Sequence, residues 1–264
     1  MQAELVRSPI KEPIPRQPGQ YLDELVQDEL WEEGGSLITV AGIAMFAVAI
    51  EWIRFALALE PHPYIASAMG LVVLLLVIRR IKSLKRKWRS IRQGRDGERY
   101  VAQVLDSLIA QDAQVIHDIP ADGFNLDHVV IGPFGIWMVE TKTISKPVKG
   151  RSEIIYSDSG LIIDGGPVTV ASIEQATAQA QWLQKRIKGL TGLDVPVRPV
   201  VIYAGWYIKC EKPWTKPVWV MHEQSFVTMV LRESCQVSEV DRKAIGFHLR
   251  RMANSQIQSG NGVL

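Results

Sequence analysis

Asp127, Glu140 and Lys142 lie in the stretch NLDHVVIGPFGIWMVETKT (125–143), among valine, isoleucine, tryptophan and methionine. Charged side chains rarely sit inside such apolar runs unless they are paired or hold a cation. Gly132-Pro133-Phe134-Gly135 is a turn by composition, so the stretch predicts a β-hairpin. Pairing Ile131 with Ile136 across that turn sets Val129 opposite Met138 and Asp127 opposite Glu140. Two carboxylates so placed lie about 4.5–5.5 Å apart at Cβ and repel. Glu140 and Lys142 are two positions apart, so both fall on one face of the strand. Two converging carboxylates are the oxygen ligands that Mg²⁺ prefers, with water and a substrate phosphate completing the shell. A lysine on the same face can hold a water for deprotonation or neutralise charge that builds up on a phosphate. A plainer role is also open to these residues: a structural ion pair of Lys142 with Glu140 or Asp127 at an exposed strand end.

Two more side chains join this set. A helix from about Gly97 to Ala110 puts positions 98, 101, 102, 105, 108 and 109 on one face, and all but Glu98 are apolar. An acid at the head of a core-facing stripe points toward the sheet, although a first-turn glutamate also suits the helix dipole. Gln175, on a helix expected from about Ser172 to Lys188, could position a phosphate or a water; a surface glutamine is the alternative.

The segments GRDGERYVAQVL (94–105), HDIPADGFNLDHVVIGPFGIWMVETKT (117–143) and IEQATAQAQWL (173–183) together resemble the NERD, or nuclease-related, domain. That family is similar to the PD-(D/E)XK nucleases. The resemblance covers about residues 94–205 and implies an α/β fold, a restriction-endonuclease-like mixed sheet flanked by helices. It also implies hydrolysis of nucleic acid, DNA before RNA, with Mg²⁺ or Mn²⁺. By position, Asp127 and Glu140 match the family's metal ligands and Lys142 its catalytic lysine. Glu98 matches the first-helix acid, and Gln175 the glutamine. The family often has Asn-Pro ahead of that glutamine helix, where this chain has Ala171-Ser172. His128 follows the family pattern, but alternation turns it away from Asp127 and makes it a core histidine.

The surrounding elements follow from periodicity and punctuation. Strands are expected at Val115–Ile119, Leu126–Ile131 and Ile136–Thr143, with a hairpin of Glu153–Tyr156 and Leu161–Ile163 over Asp158-Ser159-Gly160. Val197–Ala204 reads as a central strand, with a weaker strand near Val218–Met221 and helices at about 223–232 and 239–254. In WYIKCEKPWTKPVW (206–219), interleaved tryptophans and lysines could stack bases and hold phosphates. A lysine-decorated hairpin packed on the core has the same composition. Cys210 and Cys235 form neither a disulfide framework nor a zinc spacing.

The N-terminal third differs in kind. The first twenty residues are polar and proline-rich, which predicts disorder, and residues 21–33 suggest a short amphipathic helix. Leu37–Leu59 is apolar apart from Glu51 and Arg54, and Tyr64–Ile78 carries no charge. Each run is close to the ~20 residues that cross a bilayer as a helix. The expected organisation is an N-terminal segment (1–35), a transmembrane helical hairpin (36–81), a basic linker (82–93) and a nuclease-like domain (94–264). A buried helical hairpin of a soluble protein is the alternative, and a channel subunit would need more polar groups in the spans than Glu51 and Arg54. Residues 79–95 hold nine bases and no acid, whereas residues 94–264 hold eighteen of each. Such a basic cluster beside a span stays cytoplasmic, which places both termini inside, and it can meet anionic lipid or nucleic acid. The whole chain thus reads as a membrane-anchored, Mg²⁺-dependent nuclease. The alternative is a membrane-tethered nucleic-acid-binding or scaffold protein that keeps the fold without turnover.

Overall fold

The computed structural model describes residues 16–57, 59, 62–146 and 152–260. They form two compact units: Tyr21–Gln93, and the described residues up to Gln20 together with those from Gly94 onward. The proline-rich start lies outside the described residues as far as position 15; Arg16–Gln20 belong to the second unit.

In the first unit, α1 (Gln20–Glu29) leads through a π-helical turn (Leu30–Gly34) into α2 (Gly35–Ala56). The short helix and the first apolar run are therefore one helical stretch. No proline falls between residues 19 and 60, and Gly34 is absorbed in the wider turn. α3 (Pro63–Asp106) then runs unbroken past the unit boundary. Residues 82–93, a linker by composition, are helical, because lysine and arginine favour helix and no glycine or proline intervenes. Both helical stretches are long and apolar enough to cross a membrane. α2 buries no residue, and Ile38, Met45 and Phe46 stand exposed. Gly70 admits close approach of the two helices, since a Cβ there would meet Val48 Cγ2 at 2.7 Å. Glu51 and Arg54 pair at 2.8 Å, and the second Glu51 oxygen accepts from the His62 backbone N–H. The two charges thus satisfy each other and the start of α3.

In the second unit, a 3₁₀ turn (Ser107–Gln111) follows α3, and then β1 (Gln114–Pro120), β2 (Asn125–Gly132) and β3 (Gly135–Lys142). Next come β4 (Glu153–Ser157), β5 (Gly160–Ile163), β6 (Val168–Thr169) and α4 (Ala171–Thr191). The chain ends with β7 (Val197–Tyr203), β8 (Tyr207–Lys209), β9 (Trp219–Met221), α5 (Glu223–Val230) and α6 (Glu239–Gly260). Every strand expected from the sequence is present; β6 and β8 are too short to show a period.

The main sheet has the order β1-β2-β3-β7-β9, antiparallel through β3 and parallel beyond it. A smaller mixed sheet has the order β6-β5-β4-β8. Both faces of the main sheet are covered, so its strands are near-continuous apolar runs. One face, with Val129, Met138 and Val201, packs on Ala176 and Leu183 of α4, on Leu249 of α6 and on the smaller sheet. The other face, with Val130, Trp137 and Val200, packs on Val101 and Leu105 of α3 and on Phe226 of α5. Trp206 and Trp219 are buried in these two cores, so neither is available to stack a base.

Candidate active site

The β2–β3 register is the expected one: Ile131 pairs with Ile136 and Val129 with Met138. The bonded ladder stops at His128–Val139, one step short of Asp127 and Glu140. There Asp127 Oδ2 accepts the Thr141 backbone N–H at 2.7 Å, so a side chain takes the place of a ladder partner. On the other side of β2, His117 pairs with His128 and Ile119 with Leu126, which sets Asp118 opposite Asp127 in register. Asp118 has φ 54°, a left-handed conformation that aspartate tolerates better than most residues and that interrupts the pairing. Asp118, Asp127 and Glu140 therefore form one row across three adjacent strands, where the bonded ladder ends.

Glu140, Lys142 and Gln175 close a triangle. Glu140 Oε1 accepts from Lys142 Nζ at 2.7 Å and from Gln175 Nε2 at 2.8 Å, and Gln175 Oε1 accepts from Lys142 Nζ at 2.8 Å. The Glu140 side chain is 4% exposed, and its second oxygen is buried without a hydrogen-bond partner. The ion pair that a purely structural role would call for is present, and it lies inside the constellation. Gln175 is held in place from below. Ser172, one turn earlier on α4, shares a 2.9 Å hydrogen bond with the Tyr203 hydroxyl at the end of β7. Ala171-Ser172 thus anchors the start of this helix to the sheet.

Glu98 reaches the same end of the sheet because α3 comes unusually close to it. A Cβ on Gly97 would lie 1.8 Å from Thr143 Oγ1, so only glycine fits. Val101, Ala102, Leu105 and Leu108 are buried as the periodicity requires. Ile109 is exposed instead, because the helix tightens to 3₁₀ from Ser107 and rotates it outward.

The electrostatics reflect this crowding. Burial, and then the charges of Asp118 and Glu140, push Glu98 up to about 8, against the opposing effect of Lys142 and Arg99. Burial first, then Glu140 and Glu98, hold Asp127 well above the usual carboxylate range, although the Thr141 N–H and Lys142 pull it down. Glu98, Asp127 and Glu140 thus share a crowded negative pocket, which Lys142 offsets in part. Among the described residues, no three histidine, cysteine, aspartate or glutamate side chains are grouped as a metal site would group them. Asp127 and Glu140 are the two carboxylates that could hold a cation.

His128 is fully buried and points away from this cluster, with its Nδ1 2.9 Å from His117 Nδ1. Asp118 is the residue that sequence reasoning passed over. It is a charge inside the apolar stretch VIHDI (115–119), the same kind of signal that singles out Asp127. Its partners, Arg16 and Asn125, carry no such signal. No curated protein and no solved structure matches the chain. Residues 93–204 match the family model of the nuclease-related domain, an interval that contains all five candidate residues from Glu98 to Gln175. The chain carries a nuclease-related (NERD) domain over those residues.

Proposed function

We propose that this chain is a membrane-anchored nuclease that hydrolyses phosphodiester bonds of nucleic acid, DNA before RNA, with Mg²⁺ or Mn²⁺. The observation that carries this reading is the Glu140–Lys142–Gln175 triangle beside Asp127, with one buried Glu140 oxygen left bare. Two repelling carboxylates and an unsatisfied buried oxygen fit a hard cation, whose remaining ligands would be water and phosphate. When bound, such an ion supplies Lewis-acid polarisation of a phosphate oxygen and a water made acidic enough to attack.

The chain's own residues do the rest. Asp127 and Glu140 would hold the ion. Lys142, fixed by two acceptors, presents a positive charge where negative charge grows on the phosphate. Gln175 fixes both Lys142 and Glu140. Glu98, raised to about 8, holds its proton at neutral pH in the absence of a cation and can donate it to a phosphate or leaving oxygen. The apolar helices α2 and α3 would anchor the chain, with both termini and the NERD domain cytoplasmic and residues 79–95 facing anionic lipid.

One observation favours a second reading, a tethered nucleic-acid-binding or scaffold protein: Lys142 is already bonded to both Glu140 and Gln175. Incubating the full-length protein in detergent with labelled single- and double-stranded DNA and RNA, with and without Mg²⁺ or Mn²⁺, separates the two. Cleavage should need the metal and should fall by about 10²–10⁴-fold in Lys142→Ala, the range of one positioned electrostatic or acid–base group. Binding that persists in the parent without any cleavage supports the scaffold reading instead.

A further inference from the structure

The row of carboxylates is completed by a residue from outside the matched domain. Arg16 Nε donates to Asp118 Oδ2 at 2.9 Å, and the two side chains are only 4% and 3% exposed. The other Asp118 oxygen accepts from Asn125 Nδ2. Further contacts hold the segment around Arg16 in place. Arg99 Nε donates to the Pro18 carbonyl at 3.3 Å. Gly19, at φ +71°, lies so close to Arg95 that a Cβ would come within 2.8 Å of its Cγ. Arg95 and Arg99 flank Glu98 on α3, so residues 16–19 run along the helical turn that delivers the fourth acid.

We propose that Arg16 is a positioning residue of the candidate site: by neutralising Asp118, it sets the charge that Asp127 and Glu140 present to a divalent cation. This inference rests on the reading of those two carboxylates as cation ligands. A buried carboxylate next in register to Asp127 adds to the repulsion within the row unless a cation answers it. Asp118 already acts on the site, since its charge is the strongest influence after burial on the rise of Glu98. A guanidinium with its fixed, always-charged fork suits a buried carboxylate better than a lysine would. The segment that supplies it precedes the two apolar helices, whereas the row it neutralises follows them. The functional unit is therefore assembled from both sides of the hairpin, and a fragment that begins at residue 94 lacks part of it.

The signs separate this role from that of a structural peg. Without Arg16, Asp118 loses a cationic partner and the row becomes more negative, which should strengthen cation binding. Without Asp118, the remaining Arg16 should weaken it. Removing both should restore the parent. The test is thermal melting of the full-length protein in detergent over a range of Mg²⁺ concentrations. The variants are Arg16→Gln, Arg16→Lys, Asp118→Asn and the Arg16→Gln/Asp118→Asn double.

In Arg16→Gln the Mg²⁺ midpoint should fall about two- to fivefold, the scale of one screened unit charge acting on a divalent ion. In Asp118→Asn it should rise by a similar factor. The double variant and Arg16→Lys should lie near the parent. A parent that shows no Mg²⁺ stabilisation overturns the cation reading and this inference with it. A parent that responds, with variants that melt lower but share its midpoint, overturns only the role of Arg16. If Arg16→Gln does not fold, Asp118→Asn decides alone, and an unchanged midpoint there refutes the proposal.

Discussion

His128 is buried in the sheet with only one ring nitrogen satisfied. Asp106 Oδ1 lies 3.1 Å from His117 Nε2, so that nitrogen carries the proton and donates. His117 Nδ1 is then an acceptor, the His128 Nδ1–H donates to it, and His128 Nε2 is left as a bare lone pair. A neutral ring tolerates this arrangement, and a protonated one does not. Burial holds both histidines below their ordinary value, His128 well below it, while Asp106 partly restores His117. Because the folded protein binds fewer protons than the unfolded chain, this contribution to stability is complete above pH ~6.5 and is lost as pH falls through it. The stability gap between parent and His128→Phe should therefore change by about 1.4 kcal/mol per pH unit below that point, in favour of the variant. Denaturant melts from pH 7 to pH 5 that run parallel for the two proteins would refute the assignment of His128 as a buried neutral ring. At the residue scale, the site was legible because charges in an apolar strand are anomalous. Asp118 is just as anomalous, but its counterion lies 102 residues away and its backbone is left-handed. Neither property has a local signature.

Elements place these residues through close approach as much as through periodicity. The 3.6-residue stripe on α3 correctly marks which face meets the sheet, but it does not say how near the helix comes. Gly97 carries that information, because the end of β3 occupies the space of its missing side chain. Gly97→Ala must push α3 away from Thr143 or drive Thr143 from its place. The expected cost is about 1–3 kcal/mol, as for an overpacked core site. Glu98, one residue on, should move with it. Gly189 is the control, since it lies within α4 with nothing within 4 Å of its would-be Cβ. Gly189→Ala should stabilise by about 0.5–1 kcal/mol through helix propensity alone. Chemical denaturation of the two variants should therefore shift in opposite directions, and a Gly97→Ala protein as stable as the parent would show that the contact is loose. The alternation that put Asp127, Glu140 and Lys142 on one face, and the turn that fixed their register, were readable because both are local. The ladder's end at His128–Val139 was not, because it depends on the Asp127 carboxylate finding the Thr141 N–H.

At the scale of the whole molecule, hydropathy finds the two apolar runs but not which parts of the chain fold together. The described residues up to Gln20 belong with those from Gly94 onward, and the buried Arg16–Asp118 pair joins them. A buried ion pair between residues before and after the hairpin requires that both lie on the same side of a membrane. An even number of crossings satisfies this, and a single crossing does not. Glu51 and Arg54, the two charges that argue against a span, pair with each other near the end of α2, where Glu51 also binds the His62 N–H. Both lie in the last two turns of α2. With Cys210 and Cys235 replaced, single cysteines can be introduced at the exposed positions Gln17, His62 and Ser159. In intact cells an impermeant thiol reagent should label His62→Cys alone. Gln17→Cys and Ser159→Cys should react only after the membrane is opened, and they should do so together. If Gln17→Cys and Ser159→Cys behave oppositely, the chain crosses once and the Arg16–Asp118 pair cannot form in the membrane-inserted protein. If all three react only after the membrane is opened, the helices do not cross at all, and the exposed faces of α2 and α3 must be covered by protein instead of lipid.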